Sequence, residues 1–189
     1  MPRLWTETID EHRRAVRDAT LDATATLVST QGLAAVTMSQ IAEATGIARA
    51  TLYRYFPDVE AILMAWHERQ IADHLEQLVG VSQQSGNTVH RLTAVLETYA
   101  RLSAQGHGPD LGAVLHAGGH VDQARHQLRD FLRDLIAEGV AAGEVRGDIP
   151  AEELAAYCLH ALGAAGEIAS RGAVGRLVAV TVAGLLPRA

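Results

Sequence analysis

The segment spanning residues 37–56 constrains the fold more than any other part of this 189-residue chain. Thr37 and Gln40 have the spacing of a capping box, in which a hydroxyl and an amide each satisfy a free backbone N–H at a helix start. Gly46 stands where a chain leaving a helix often needs a positive φ, and Pro57 ends the next helical stretch. The segment therefore predicts two short helices joined by a tight turn.

Apolar residues in this segment recur at helical spacing. Ile41, Ala42 and Ala44 are expected to form the inner face of the first helix. Leu52 and Phe56 are four residues apart, so they share one face of the second helix. Each helix therefore has one face for a core and another for solvent or a ligand.

The polar side chains of the two helices can contact DNA. Arginine and tyrosine side chains donate to phosphate oxygens, and arginine also pairs bidentately with guanine in the major groove. We predict that Ser39, Arg49, Ala50 and Thr51 lie close to base edges and that Thr37, Tyr53, Arg54 and Tyr55 contact phosphates. Taken alone, the pattern fits a helical hairpin with solvent-facing polar residues equally well.

The chain resembles the N-terminal domain of the TetR family of bacterial transcriptional repressors over residues 8–66. The matching positions are Gly32-Leu33, Val36-Thr37-Met38, Ile41-Ala42, Thr45-Gly46-Ile47, Thr51 to Phe56 and Glu60 to Leu63. The resemblance implies an all-helical homodimer that binds double-stranded DNA and releases it when the second helical layer binds a small-molecule effector.

Three positions depart from the pattern of that family. Ala48 stands where a serine or threonine commonly caps the recognition helix, and Ala50 stands where glycine is frequent. Val59 replaces a lysine that commonly contacts phosphate, which implies one weaker backbone contact. These departures leave open an alternative function, a small-molecule-binding protein on the same scaffold without specific DNA binding.

Composition favours an all-α fold. Aromatic residues make up 4% of the chain and period-2 apolar runs are short, so strand signals are weak.

The net charge of −6 argues against a protein that coats nucleic acid or membranes through bulk charge, so DNA binding needs a local patch. We predict a three-helix helix-turn-helix DNA-binding domain in residues 1–57 and a helical effector-binding and dimerisation domain in residues 58–189.

Apolar periodicity places the remaining helices. Ile9, Val16, Ala23 and Leu27 recur near heptad spacing in a first helix that braces the helix-turn-helix. Further helices are predicted at about 59–81, 88–104, 121–143, 151–170 and 173–186. Because family members dimerise through their last two long helices, the resemblance implies a two-fold four-helix bundle there; burial within the monomer is the alternative.

The candidate effector-binding residues are Trp66, Leu96, Tyr99, His116, His120 and Phe131, although such residues are also ordinary core or surface positions. His116 and His120 are four apart, with Asp122, His126 and His160 also available to a divalent metal. No third ligand is fixed by spacing, and the pair lacks the glutamate of H-E-x-x-H, so we predict no metal site.

Other functional classes lack a motif in the sequence. We find no phosphate-binding glycine loop, nucleophile elbow or supported carboxylate pair, and we therefore predict no catalytic residue, no cofactor and no enzymatic activity. Cys158 is the single cysteine, which excludes an intrachain disulfide. The N-terminus lacks the apolar core of a signal peptide, and the apolar run 177–186 is too short to span a bilayer, so we expect a cytoplasmic protein without membrane association.

These features together predict a ligand-responsive transcriptional regulator. The form that they favour is a repressor that a small molecule releases from a palindromic operator.

Overall fold

A computed structural model describes residues 3–84, 86–104, 119–168 and 170–187, with backbone alone at residues 3–10, 119, 120 and 171. In this part of the chain there are eight α-helices and no strand, which confirms the predicted all-α fold. The helices are α1 (Arg3–Gln31), α2 (Met38–Thr45), α3 (Arg49–Tyr55), α4 (Val59–Ser82), α5 (Thr88–Ala104), α6 (Gly119–Ala141), α7 (Ala151–Gly163) and α8 (Arg171–Ala183). None of the described helices is long and apolar enough to cross a membrane.

The predicted helix over residues 151–170 was too long. Helix α7 ends at Gly163 and a 3₁₀ turn, Ala164–Glu167, follows it. Two glycines in this stretch weaken an α-helix, and a Cβ on Gly166 would lie 3.2 Å from the Ser103 carbonyl oxygen of α5. Close packing of the turn, in which Ala165 is fully buried, therefore replaces the last predicted helical turns.

The chain divides into two compact units inside α4, between Gln70 and Ile71. The described part of the N-terminal unit is residues 3–70, and the first turns of α4 supply Ile62 and Leu63 to its core. The predicted boundary at residue 57 lies at the loop before α4. The structural division lies later because the start of α4 covers the helix-turn-helix and buries apolar surface with it.

The face that α1 buries differs from the predicted heptad seam. Val16, Ala23 and Leu27 are only half-buried, and the side chain of Ile9 lies outside the described residues. The buried positions are Thr20, Leu21, Thr24 and Val28. Two threonines can line this core because the Thr20 and Thr24 hydroxyls donate to the carbonyls four residues earlier, at 2.7 and 2.8 Å.

Helices α5 to α8 form the core of the C-terminal unit. Its fully or almost fully buried side chains include Leu92, Val95, Leu96, Leu132, Ile136, Cys158, Leu162 and Val178. Arg146, in the loop after α6, ties the end of the chain to this core: its backbone N–H donates to the Leu185 carbonyl at 2.9 Å, and its guanidinium bonds Asp148. The loop and the end of α8 therefore hold each other in place.

Candidate functional site

The start of α2 is fixed by the predicted capping box. The Thr37 backbone N–H donates to Gln40 Oε1 at 2.8 Å, and the Gln40 N–H donates to Thr37 Oγ1 at 3.3 Å. The Gln40 amide also donates to Gln31 Oε1 at the end of α1, at 3.1 Å. Thr37 and Gln40 therefore cap α2, and Gln40 also attaches α2 to the end of α1.

The turn between α2 and α3 has the predicted glycine geometry. Gly46 adopts φ 68°, the left-handed region that side chains with a Cβ avoid. The Thr45 hydroxyl accepts from the Ile47 N–H at 3.3 Å, and Ile47 is half-buried below the turn. Ala48 precedes α3 without a side-chain cap, as expected from the missing serine or threonine.

The two helices bury the predicted faces, except that one residue of α2 predicted to be buried is exposed and another is buried. Leu52 is fully buried and Phe56 is buried, so the four-residue spacing identified the inner face of α3. In α2, Ile41 is fully buried but Ala44 is exposed, contrary to expectation. Met38 is buried in the core instead of Ala44, because burial of a long side chain removes more apolar area from water than burial of alanine does.

The helix-turn-helix corner consists of α2, the turn at Gly46 and α3. Most of the predicted DNA-contacting residues lie on its surface. The exposed ones are Thr37, Ser39, Arg49, Ala50, Tyr53 and Arg54. Thr51 is half-buried, and Tyr55 is half-buried against the N-terminal core, so its ring also has a packing role. The exposed set carries two guanidiniums, a phenol and two hydroxyls, which are donors suited to phosphates and base edges.

Arg49 and Tyr53 contact each other one helical turn apart. The Arg49 guanidinium carbon lies 5.6 Å from the centroid of the Tyr53 ring, which is a cation–π distance. Such a contact at an exposed site stabilises by about 0.5–1 kcal/mol. It restricts the rotamers of a long side chain on the face of α3 that is exposed to solvent.

The candidate effector residues are not brought together as one set. Trp66 is half-buried against the N-terminal core, and Leu96 is fully buried in the C-terminal core. Phe131 packs on the same C-terminal core. His116 and the side chain of His120 lie outside the described residues, which leaves Tyr99 as the described candidate that lines a cavity.

That cavity lies among α5, α6 and α7 in the C-terminal unit and has a volume of about 500 Å³. Its size is in the range of small-molecule sites. It is lined by Tyr99, Asp122, Arg125, His126, Leu128, Arg129, Ala156, Leu159, His160 and Gly163. Sequence reasoning missed most of these residues, although 122, 125, 126 and 129 and also 156, 159, 160 and 163 have the i, i+3, i+4, i+7 spacing of one helix face.

Hydrogen bonds fix the two histidines of the cavity. His126 Nδ1 lies 2.6 Å from the Asp122 carbonyl oxygen, and His160 Nδ1 lies 2.8 Å from the Ala156 carbonyl oxygen. Since a carbonyl only accepts, Nδ1 is the protonated nitrogen and Nε2 is the one available to a ligand. Among the described residues, no group of three or more histidine, cysteine or acidic side chains is placed to hold a metal ion.

Comparison with known proteins finds a family match for the helix-turn-helix segment. A family model described as bacterial regulatory proteins, tetR family, matches residues 21–65, which contain the whole helix-turn-helix corner. No curated protein sequence matches the chain.

Solved structures share the fold over nearly the whole chain. A TetR transcriptional regulator from Streptomyces coelicolor is 27% identical, with a TM-score of 0.64 and coverage of 92% of this chain and 99% of its own. A TetR/AcrR regulator from Thermobifida fusca is 19% identical, with a TM-score of 0.72 and coverage of 89% and 97%. FadR from Bacillus subtilis, in complex with stearoyl-CoA, is 16% identical, with a TM-score of 0.66 and coverage of 88% and 98%. The segment that holds the capping box, the Gly46 turn and α3 therefore matches the tetR family of bacterial regulatory proteins, and the fold is similar to that of solved TetR transcriptional regulators.

Proposed function

We propose that the protein is a ligand-responsive repressor that binds a near-palindromic operator as a homodimer and is released by a small molecule. The observation that carries this proposal is the exposed donor surface of α3, on a corner held by the capping box and by Gly46. This surface gives an acidic chain a local patch for a polyanion.

The exposed side chains have separate proposed roles. Arg49, Ala50, Thr51 and Ser39 approach base edges in the major groove, and Arg49 is the one able to pair bidentately with guanine. Thr37, Tyr53, Arg54 and Tyr55 contact phosphates and set the register of α3. The role is regulatory and requires no catalytic group.

Exposed apolar side chains on the last two helices support dimerisation. Tyr157 on α7 is 45% exposed, and Val180 on α8 is 67% exposed. Apolar residues on the outer side of a terminal helix are commonly covered by a partner. We infer that α7 and α8 form a two-fold four-helix bundle, so that two α3 helices meet successive major grooves about 34 Å apart.

Light scattering of a Val180→Asp variant tests the dimer. A buried, unpaired carboxylate at the centre of an apolar interface is costly, so we expect a monomer. Val79→Asp places the same charge at another exposed valine, 40% exposed on α4, and should leave the dimer intact. A Val180→Asp protein that remains dimeric would contradict this interface.

The cavity of the C-terminal unit is the proposed effector site. The structural relative FadR binds stearoyl-CoA, an example of a regulator of this fold with a ligand. Helix α4 contributes residues to both compact units, so it is the element through which effector binding is coupled to DNA affinity. The effector acts by binding the DNA-incompetent state more tightly than the DNA-bound state.

A gel shift on the DNA upstream of the protein's own coding sequence tests DNA binding. We expect a complex that weakens steeply with salt and that only a competitor of matching sequence removes. Absence of a sequence-specific complex across several genomic fragments would favour the alternative, a small-molecule-binding protein on the same scaffold. Ala48 and Val59, which replace a capping and a phosphate-contacting residue of the family pattern, motivate that alternative.

A further inference from the structure

We infer that the C-terminal cavity binds an amphipathic organic anion and that Arg129 is its anchor. This inference rests on the effector site proposed above and names the chemical class of its ligand. It is carried by the charges of the lining residues, by the pairing of each charge and by the apolar surface beside them.

The charged groups of the cavity favour a negative ligand. Arg125 and Arg129 face a single acidic lining residue, Asp122, so the lining has a net charge of +1 with both histidines neutral. The chain as a whole has a net charge of −6, so this positive site is a local exception. A cationic ligand would meet two guanidiniums here, whereas a carboxylate or phosphate would be paired by them.

The two arginines differ in how much they gain from a ligand. The Arg125 side chain is 70% exposed and its guanidinium lies 3.9 Å from the Asp122 carboxylate, so water and a neighbouring acid already stabilise its charge. Arg129 is half-buried, and within the described residues it has no hydrogen-bond or ion-pair partner. An anion beside Arg129 therefore gains a charge-assisted bond in a less hydrated place, where such bonds are stronger.

His126 and His160 add polar groups beside the arginines. Both imidazoles use Nδ1 for a carbonyl of their own helix, which fixes the ring and leaves Nε2 for a ligand. These two nitrogens come from α6 and α7, and as unprotonated acceptors they can pair with an O–H or N–H of the ligand, whereas the acidic group pairs with the arginines.

Apolar side chains complete the site. Tyr99, Leu128 and Leu159 line the cavity, and all three are half-buried against the C-terminal core. An aliphatic or aromatic ligand body on these side chains gains about 25 cal/mol for each Å² of apolar surface removed from water. A small inorganic anion would leave this surface uncovered, so the matching ligand has an acidic group and an apolar body.

Calorimetric titration of the full-length protein with matched ten-carbon probes tests the ligand class. The probes are decanoate, decyl phosphate, 1-decanol and decyltrimethylammonium, which share an apolar chain and differ in the charge of the head group. We expect at least one of the two anions to bind about tenfold or more tightly than the alcohol, and the cation to bind least. The stronger of the two anions then distinguishes a carboxylate ligand from a phosphate ligand.

Two arginine variants test the anchor. Arg129→Gln removes the charge from the cavity, and we expect the favoured anion to bind about 10- to 100-fold more weakly while the alcohol is unaffected. Arg133→Gln is the matched control, because Arg133 lies one turn further along α6, outside the cavity lining, and pairs with Asp130 and Asp134. We expect that variant to bind within about twofold of the unmodified protein.

The inference is overturned if neither anion binds, if the alcohol or the cation binds as tightly as the better anion, or if Arg129→Gln binds as the control does. Gel shifts with operator DNA, run without any of the ten-carbon compounds, separate this inference from the proposed function. Operator binding with no anion binding would overturn the ligand class alone. Anion binding without any operator complex would support the ligand class and contradict the repressor function.

Discussion

Tyr53 and Arg49 are coupled on the surface of α3, with 5.6 Å between the guanidinium carbon and the ring centroid. Arg49→Ala removes a side chain able to pair with guanine, so we expect operator binding to weaken by about 1–3 kcal/mol and sequence preference to relax. Tyr53→Phe keeps the ring under Arg49 and loses only the hydroxyl, so all sequences should be bound more weakly by a similar factor.

Fluorescence anisotropy on the operator and on single-base variants separates these outcomes. Because Tyr53 is uncharged, its variant should also leave the salt dependence of binding unchanged. Arg133→Ala, in the C-terminal unit, serves as the control for loss of an arginine. Unchanged sequence preference in Arg49→Ala would refute its assignment to a base edge.

Cys158 is shielded by the core of the C-terminal unit. Burial raises the pKa of this thiol to about 12, which leaves little thiolate near neutral pH, and the side chain is fully buried. We expect labelling by a disulfide reagent at about pH 8 to be far slower in the native protein than in guanidinium chloride. Equal labelling rates in the two conditions would show that the α7 core opens readily. Cys158→Ala provides the background rate.

Gly46, in the turn between α2 and α3, and Gly80, near the end of α4, allow a matched test of how backbone conformation decides the effect of a glycine-to-alanine substitution on stability. Gly46 has φ 68°, so Gly46→Ala forces a Cβ into the left-handed region and should destabilise the protein by about 1–2 kcal/mol. Gly80 lies within α4, where a Cβ would meet no atom within 4 Å beyond the adjacent residues and the backbone of its own helix, so Gly80→Ala should stabilise the protein by up to about 1 kcal/mol.

Urea unfolding of the two glycine variants measures the change in the free energy of unfolding, which we expect to be a loss for Gly46→Ala and a gain for Gly80→Ala. The same substitution changes stability in opposite directions because one backbone conformation excludes alanine and the other favours it. Stabilisation by Gly46→Ala would mean that this turn does not need a positive φ. Reduced operator binding is also expected for that variant, since the turn orients α3 on α2.

The two compact units of the whole molecule have separate cores, and the unfolding of each can be followed by a different side chain. Residues of the N-terminal unit include both tryptophans, Trp5 and Trp66, whereas Cys158 lies in the C-terminal unit. The N-terminal unit is the smaller one, and small units bury a smaller fraction of their surface. We expect tryptophan fluorescence to change at a lower urea concentration than Cys158 labelling.

An ion-pair variant checks the origin of that difference. Arg69 on α4 bonds Asp18 and Asp22 on α1, within the N-terminal unit. Burial lowers the pKa of Arg69, but its bonds to Asp22 and Asp18 outweigh this effect and raise the pKa overall. Arg69→Gln should therefore lower the fluorescence midpoint and leave the midpoint of Cys158 labelling unchanged. Coincident transitions in the unmodified protein would show that the units unfold as one.

The sequence by itself determined the elements whose causes are local. The capping box of Thr37 and Gln40, the positive φ of Gly46 and the buried face of Leu52 and Phe56 depend on neighbours within one or two helical turns. The bounds of α5 were predicted to the residue for the same reason, since its apolar spacing is strong and the sequence on either side of it is polar and contains glycine.

Only the tertiary structure decided features that depend on distant neighbours. The early end of α7 needs the Ser103 carbonyl beside Gly166, and the buried face of α1 needs threonines whose hydroxyls are satisfied within the helix. The cavity joins side chains from α5, α6 and α7, so spacing could identify each helix face but not which faces meet. Local patterns fix helices because backbone hydrogen bonds are short-range, whereas the pairing of helix faces is set by the packing of the complete core.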